Sequence, residues 1–259
     1  MKTRRLLLAL LSLIPLQAGA AQGGIESANY SLGVAVTDSE WYRDYTLSGT
    51  ARLPLVDYVG LTLGAGLGTL EESDKSKEQW REWGLSVSSD TTYTEANLGI
   101  VVSDFTIGKV SADYSRSDYE STTTFGNTPI GNVTYHDHWY YNTYQLSGSY
   151  YFNRFDLGAT RGWSKSYSDD SSSKSNGTLF DVGYYPTDNL LAGLRTDADT
   201  EVYELSLMYQ PQLFNNAIGL GFSMTDSIDS DDIGRPYYSL NLAYYFGTRV
   251  SLIDRKRRY

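Results

Sequence analysis

The sequence predicts an all-β fold: a transmembrane, antiparallel, up-and-down β-barrel of about twelve strands. Three observations lead there. From Ala28 onward, apolar side chains fall at every second position through successive segments of about ten residues, the spacing of an extended strand with two unlike faces. The breaks between segments alternate short with mostly longer and more polar, as they do in a barrel threaded through a bilayer. In Tyr237–Gly247, Tyr238, Leu240, Leu242, Tyr244 and Phe246 form an unbroken apolar set with aromatic ends, suited to a strand spanning lipid between two aromatic girdles. Apart from the N-terminal leader, no stretch approaches the roughly 18 apolar residues of a membrane helix. A membrane form must therefore be a closed barrel, which leaves no backbone group unpaired in lipid.

The elements follow in order. Tyr30, Leu32, Val34 and Val36 mark the first strand, and Tyr45, Leu47, Gly49, Ala51 and Leu53 the second, after an acidic break at Asp38–Asp44. Pro54–Asp57 reads as a tight turn before Val59, Leu61, Leu63, Ala65 and Leu67. A polar connection at Glu71–Glu82 precedes the strand of Ala96, Leu98 and Ile100, which turns at Ser103-Asp104. Val110, Ala112 and Tyr114 continue, but Phe105 and Ile107 have the opposite parity, so a β-bulge is expected there. Ser115–His138 reads as the longest inserted loop. Tyr144–Phe152 and Phe155–Ala159 flank the turn Asn153-Arg154, and Ser164–Asn176 reads as a second long loop. Four further strands pass through Val182, Ala192, Leu205 and Leu220, with breaks at Tyr185–Asn189, Asp197–Thr200, Pro211–Asn216 and Asp226–Pro236.

Three regions are expected. Residues 1–20 have a basic start (Lys2, Arg4, Arg5), a short apolar core and a small-residue site at Ala18-Gly19-Ala20, the pattern of a cleaved secretory signal peptide. Residues 21–247 form the barrel, and residues 248–259 a basic tail on the periplasmic side, with Arg255-Lys256-Arg257-Arg258 either attracted to anionic headgroups or an acidic partner or left as an untethered, disordered end. Cysteine is absent, which excludes disulfides and thiolate sites. The net charge of −10 becomes −13 once the leader's three basic residues are removed. Such a balance argues against nucleic acid, whose phosphates need a basic footprint.

The last strand resembles the closing strand of Gram-negative outer-membrane β-barrels, which ends on an aromatic residue after alternating apolar ones; here the chain continues past Phe246. The resemblance to porins covers the whole mature chain and rests on these general barrel features. It implies a bacterial outer-membrane location, contact with outer-membrane lipid and lipopolysaccharide, and passive diffusion of small hydrophilic solutes. Twelve-stranded acidic-sugar porins carry inward tracks of arginine, and this sequence has none. The alternatives are a non-conducting surface barrel that binds a partner or lipopolysaccharide, and a lipid-directed enzyme at the outer rim.

On the other parity the side chains are small, as at Ser31, Gly33 and Ala35 or Thr62, Gly64 and Gly66. With about twelve strands this predicts a narrow water-filled lumen; the competing reading is a lumen filled by an inserted segment, for which only Ser115–His138 is long enough. The candidate channel-lining charges are Arg52, Lys109 and Arg195 against Glu95, Asp113, Asp156, Asp181 and Glu204. Their acidic excess implies a weak preference for cations, unless the pairs serve as lumen salt bridges. The two histidines, in His136-Asp137-His138, lack a third ligand and a spaced nucleophile. No catalytic residue, metal or cofactor is therefore expected, and Tyr135, Trp139, Tyr140 and Tyr141 around them read as an interfacial girdle. Loop carboxylates such as Glu71, Asp74, Asp199 and Asp226 match no calcium-loop spacing and read as a solvated rim.

Overall fold

In the computed structural model the described residues are 28–128, 131–168, 171–199, 202–227, 236–246 and 250–258. The expected signal peptide, residues 247–249 and the acidic stretch 228–235 lie outside them. Twelve antiparallel strands close into one barrel: β1 (Asn29–Asp38), β2 (Tyr42–Val56), β3 (Val59–Glu72), β4 (Ser86–Asp104), β5 (Gly108–Thr128), β6 (Gly131–Phe152), β7 (Phe155–Ser168), β8 (Ser172–Thr187), β9 (Leu190–Asp197), β10 (Val202–Tyr209), β11 (Ile218–Ser227) and β12 (Tyr237–Phe246). Each strand pairs with its sequence neighbours, and β1 pairs with β12 from Tyr30↔Phe246 to Asp38↔Tyr238, so no edge remains. Closure satisfies the ladder around the whole wall. Among the described residues, no helix is long and apolar enough to cross a membrane.

The apolar parity points outward. Leu240 keeps 63% of its surface exposed and Leu242 45%, whereas their neighbours Ser239 and Asn241 are half-buried. Large apolar side chains exposed around the entire wall are the inverse of a soluble core and suit a hydrocarbon solvent. The few fully buried side chains, Val101, Tyr185, Leu252 and Gln210, gather instead at one end, where the strands are joined by short turns. Asn153 takes φ 54° in the two-residue turn between β6 and β7, a left-handed position that asparagine tolerates. Pro54, which cannot donate to a ladder, lies at the register shift where β2 meets β3.

Three expected loops prove to be ordered structure. Ser115–His138 is the upper half of the β5–β6 hairpin, paired in register to Phe125↔Val133. Ser164–Asn176 likewise extends β7 and β8, paired to Tyr167↔Ser172. These segments lack an apolar face, so period-two hydrophobicity fades, but Thr and Ser hydroxyls bridge the strands instead: Ser89–Thr123 at 3.0 Å, Thr91–Ser121 at 2.9 Å, Thr124–Thr134 at 3.1 Å and Ser166–Ser173 at 2.8 Å. Such cross-strand pairs support a hairpin above the membrane. Within Glu71–Glu82 lies a helix, α1 (Asp74–Glu82), capped by Ser73, whose side chain accepts from the Ser76 amide. The expected bulge near Phe105 is absent: β4 and β5 pair without a register shift, and Phe105–Ile107 form the turn between them.

The tail departs most from expectation. Leu252–Arg258 forms a second helix, α2, docked at the short-turn end rather than trailing free. Ser251 Oγ donates to Asp254 Oδ2 at 2.8 Å and accepts from the Asp254 amide at 3.3 Å, a side-chain cap that starts the helix. Its basic last turn complements the C-terminal end of the helix dipole.

Candidate functional site in the barrel lumen

Closure turns the second parity toward the axis, and the expected lining residues are distributed along it. Lys109, Asp156, Asp181, Arg195 and Glu204 surround one cavity of about 420 Å³, together with Lys256 from α2. Arg195 and Glu204 are cross-strand partners 3.6 Å apart. Lys109 Nζ donates to the Lys256 carbonyl at 3.1 Å. Asp181 leans across Gly158, where any Cβ would collide with its carboxylate. Arg52, Asp113 and Glu95 lie outside that cavity's lining. Arg52 Nε donates to Thr62 Oγ1 at 3.4 Å, and Asp113 accepts from Ser111 Oγ at 2.7 Å. Glu95 stands farther from the short turns, beside Gly66 and Ser117 on the neighbouring strands.

The tail completes the short-turn end. Asp156 accepts from Tyr185 Oη at 2.7 Å and from Arg257 Nε at 2.9 Å and Nη2 at 2.8 Å. Arg257 Nη2 also donates to the carbonyls of Asn153 (2.7 Å) and Phe155 (3.2 Å), and its guanidinium lies over the Tyr151 ring at 4.9 Å. Arg255 stacks on Tyr245 at 4.0 Å and reaches Asn29 Oδ1 at 3.3 Å. The Leu252 amide donates to Asn189 Oδ1 (3.2 Å) and the Ile253 amide to the Asp188 carbonyl (3.0 Å). Ser103 Oγ donates to the Arg257 carbonyl at 2.9 Å. Contacts from five different turns and strand ends converge on seven helical residues. Burial pushes the Lys256 ammonium below its ordinary pKa, with Arg195 and Arg52 adding repulsion that Asp156 and Asp181 oppose.

Sequence reasoning missed this arrangement. Tyr151 and Tyr185 carry inward parity among small residues, and Ser251-Leu252-Ile253-Asp254 has the spacing of a capping box; together they would have pointed to a docked segment. With Lys256 and Arg257 added, the five candidate lining carboxylates have five cations among them instead of three. Tyr135, Trp139 and Tyr141 also differ from expectation. They share the inward parity with Asp137, while Tyr140 faces outward and stacks on Tyr167 at 4.6 Å. His136 and His138 are exposed, with His136 Nδ1 3.1 Å from Thr122 Oγ1. Among the described residues, no three His, Cys, Asp or Glu side chains converge to hold a metal ion.

No protein-family model matches the chain, and no curated protein matches it in sequence. The fold itself recurs among solved structures. The translocator domain of the autotransporter NalP from Neisseria meningitidis aligns over 94% of each chain with a TM-score of 0.63 at 13% identity. The KdgM porin aligns over 84% of this chain and 99% of its own, with a TM-score of 0.51 at 11% identity. At such identities the likeness is one of architecture: the chain has the fold of a bacterial outer-membrane β-barrel.

Proposed function

We propose that this protein is a porin-like passive channel for small hydrophilic solutes in the bacterial outer membrane, narrowed at its periplasmic end by its own basic tail. The observation that carries this reading is the polar lumen, with its 420 Å³ cavity lined by charges of both signs. Such a lining hydrates small polar solutes and selects them by size and weak charge. The outward apolar wall meets lipid, and the extended hairpins rise toward the lipopolysaccharide side. The porin and translocator architectures among the structural neighbours support the location and the channel class. We assign no catalytic role to the exposed His136 and His138, of which His136 Nδ1 meets the Thr122 hydroxyl at 3.1 Å.

The docked tail favours one alternative, a non-conducting surface barrel sealed at the short-turn end. Planar-bilayer conductance of the full chain, and of a version lacking residues 250–259, separates the two. A channel gives small steps for the full chain and markedly larger ones without the tail. Silence from both forms would show that the wall itself closes the lumen, and the surface-barrel reading would replace the channel.

A further inference from the structure

Tyr93 on β4, Tyr119 on β5 and Trp139 on β6 stand directly opposite one another in the ladder, all on the lumen-facing parity. Their rings stack in one row: Tyr93 to Tyr119 with centroids 5.1 Å apart and planes 26° apart, and Tyr119 to Trp139 at 5.3 Å and 6°. Beside Tyr93 the row passes Gly68, where a Cβ would run into the Tyr93 ring. That missing side chain lets the ring lie across β3, so that Tyr93 Oη donates to Asp44 at 3.1 Å and shares a 2.6 Å hydrogen bond with Thr46 Oγ1. A girdle role does not account for these rings, because girdles face lipid. All three are half-buried, on the inward-facing side of the wall.

We propose that this aromatic row is a binding site for neutral saccharides at the long-hairpin end of the lumen. Offset-stacked and half-buried, the rings form a stepped aromatic surface along the wall, longer than a single sugar ring, against which the C–H faces of pyranoses can pack. Carboxylates and hydroxyls border it, as sites that pair apolar walls with a few placed polar groups do. The charged groups facing Tyr93 and Tyr119 are Asp44 and Glu95, both acceptors for sugar hydroxyls. Their sign works against uronic acids. A wholly apolar ligand would strand these polar groups, and an organic cation is best held by rings set at angles around it, unlike this row. The inference rests on the water-filled lumen of the proposed channel and names a solute class for it.

The test is calorimetric titration of the purified full chain in detergent with maltohexaose and cellohexaose. Hexagalacturonate and choline serve as the acidic and cationic comparisons. One or both neutral oligomers should bind saturably, and Tyr119→Ala should weaken binding about tenfold, a change of about 1.4 kcal/mol. Tyr119→Leu replaces it if the alanine variant fails to assemble. Trp139→Phe keeps a ring and should retain most of the affinity. Tyr140→Ala, on the outward parity of the same strand, should change nothing. Absence of neutral-sugar binding, preference for the uronate or choline, or equal losses in Tyr119→Ala and Tyr140→Ala would overturn the proposal. Conductance without sugar binding would leave the channel standing and remove the sugar site; binding without conductance would do the reverse.

Discussion

Arg257→Ala is the most direct test of the docked tail. Arg257 and Asp156 keep only 14% and 16% of their side-chain surface exposed, so the pair is largely desolvated. Removing one partner of a buried pair costs about 3–5 kcal/mol, chiefly because a charge is left uncompensated. Asp156 would keep its hydrogen bond from Tyr185, which favours the lower end, about 3 kcal/mol. At about 1.4 kcal/mol per decade, the undocked fraction should rise roughly 100-fold. The barrel should assemble normally, since Arg257 lies outside the strand ladder. Trypsin reads the undocked fraction, because Arg255, Lys256 and Arg258 remain as cleavage sites and cleavage follows the open population when reclosing is fast. The variant's tail should be cut roughly two orders of magnitude faster than the wild type's. Asp156→Asn combined with Arg257→Ala should add little to Arg257→Ala alone, as coupled partners do. Equal cleavage of variant and wild type, or full additivity, would refute a tail held by this pair.

Two further outcomes follow from the same geometry. Leu242→Arg puts a charge on the lipid face and should destabilise the barrel by about 2–4 kcal/mol in equilibrium unfolding from liposomes, whereas Asn241→Arg opens into the lumen and should cost roughly 1 kcal/mol or less. Lys256 has a folded pKa below the ordinary value of 10.5, so the docked tail binds fewer protons than the released one. Docking should therefore tighten as pH rises from that depressed pKa toward 10.5, and conductance of the full chain should fall over this window. Lys256→Met should flatten the profile, and a conductance that rises with pH would contradict the buried amine.

The strands with an apolar outer face were legible because alternate side chains had to be apolar. Tyr238, Leu240, Leu242 and Tyr244 showed both the parity and the span. Once the wall rises above the membrane, neither face is constrained by lipid, and Thr122-Thr123-Thr124 or Ser171-Ser172-Ser173 looks like loop although hydroxyl pairs hold the strands. The inward parity of Arg52, Lys109, Asp156 and their partners could be read from the same alternation. Their grouping could not, because which of them share a cavity depends on stagger around the barrel and on a tail that joins them from outside the strand pattern. Trp139 shows a further limit: an aromatic beside a girdle can face either way, and one residue of parity separates it from Tyr140.

Charge in the lumen links the tail to selectivity. From the wall alone, Arg52, Lys109 and Arg195 face Glu95, Asp113, Asp156, Asp181 and Glu204, an acidic excess that should favour cations. Docking brings Lys256 and Arg257 into this set and offsets its acidic excess, with Arg257 consuming much of the field of Asp156 at 2.8 Å. The full chain should then discriminate weakly between potassium and chloride, and removal of residues 250–259 should shift the reversal potential toward cation selectivity. Most of the shift should persist at salt high enough to bring the Debye length below about 10 Å, because the groups line a confined wall and exposed rim carboxylates are screened first. Neutralising Glu204 together with Asp181 in the truncated barrel should return it toward the full chain's weak preference. A full chain as cation-selective as the truncated one would mean that ions pass without meeting Lys256 and Arg257. The tail would then close a side of the lumen that ions do not use.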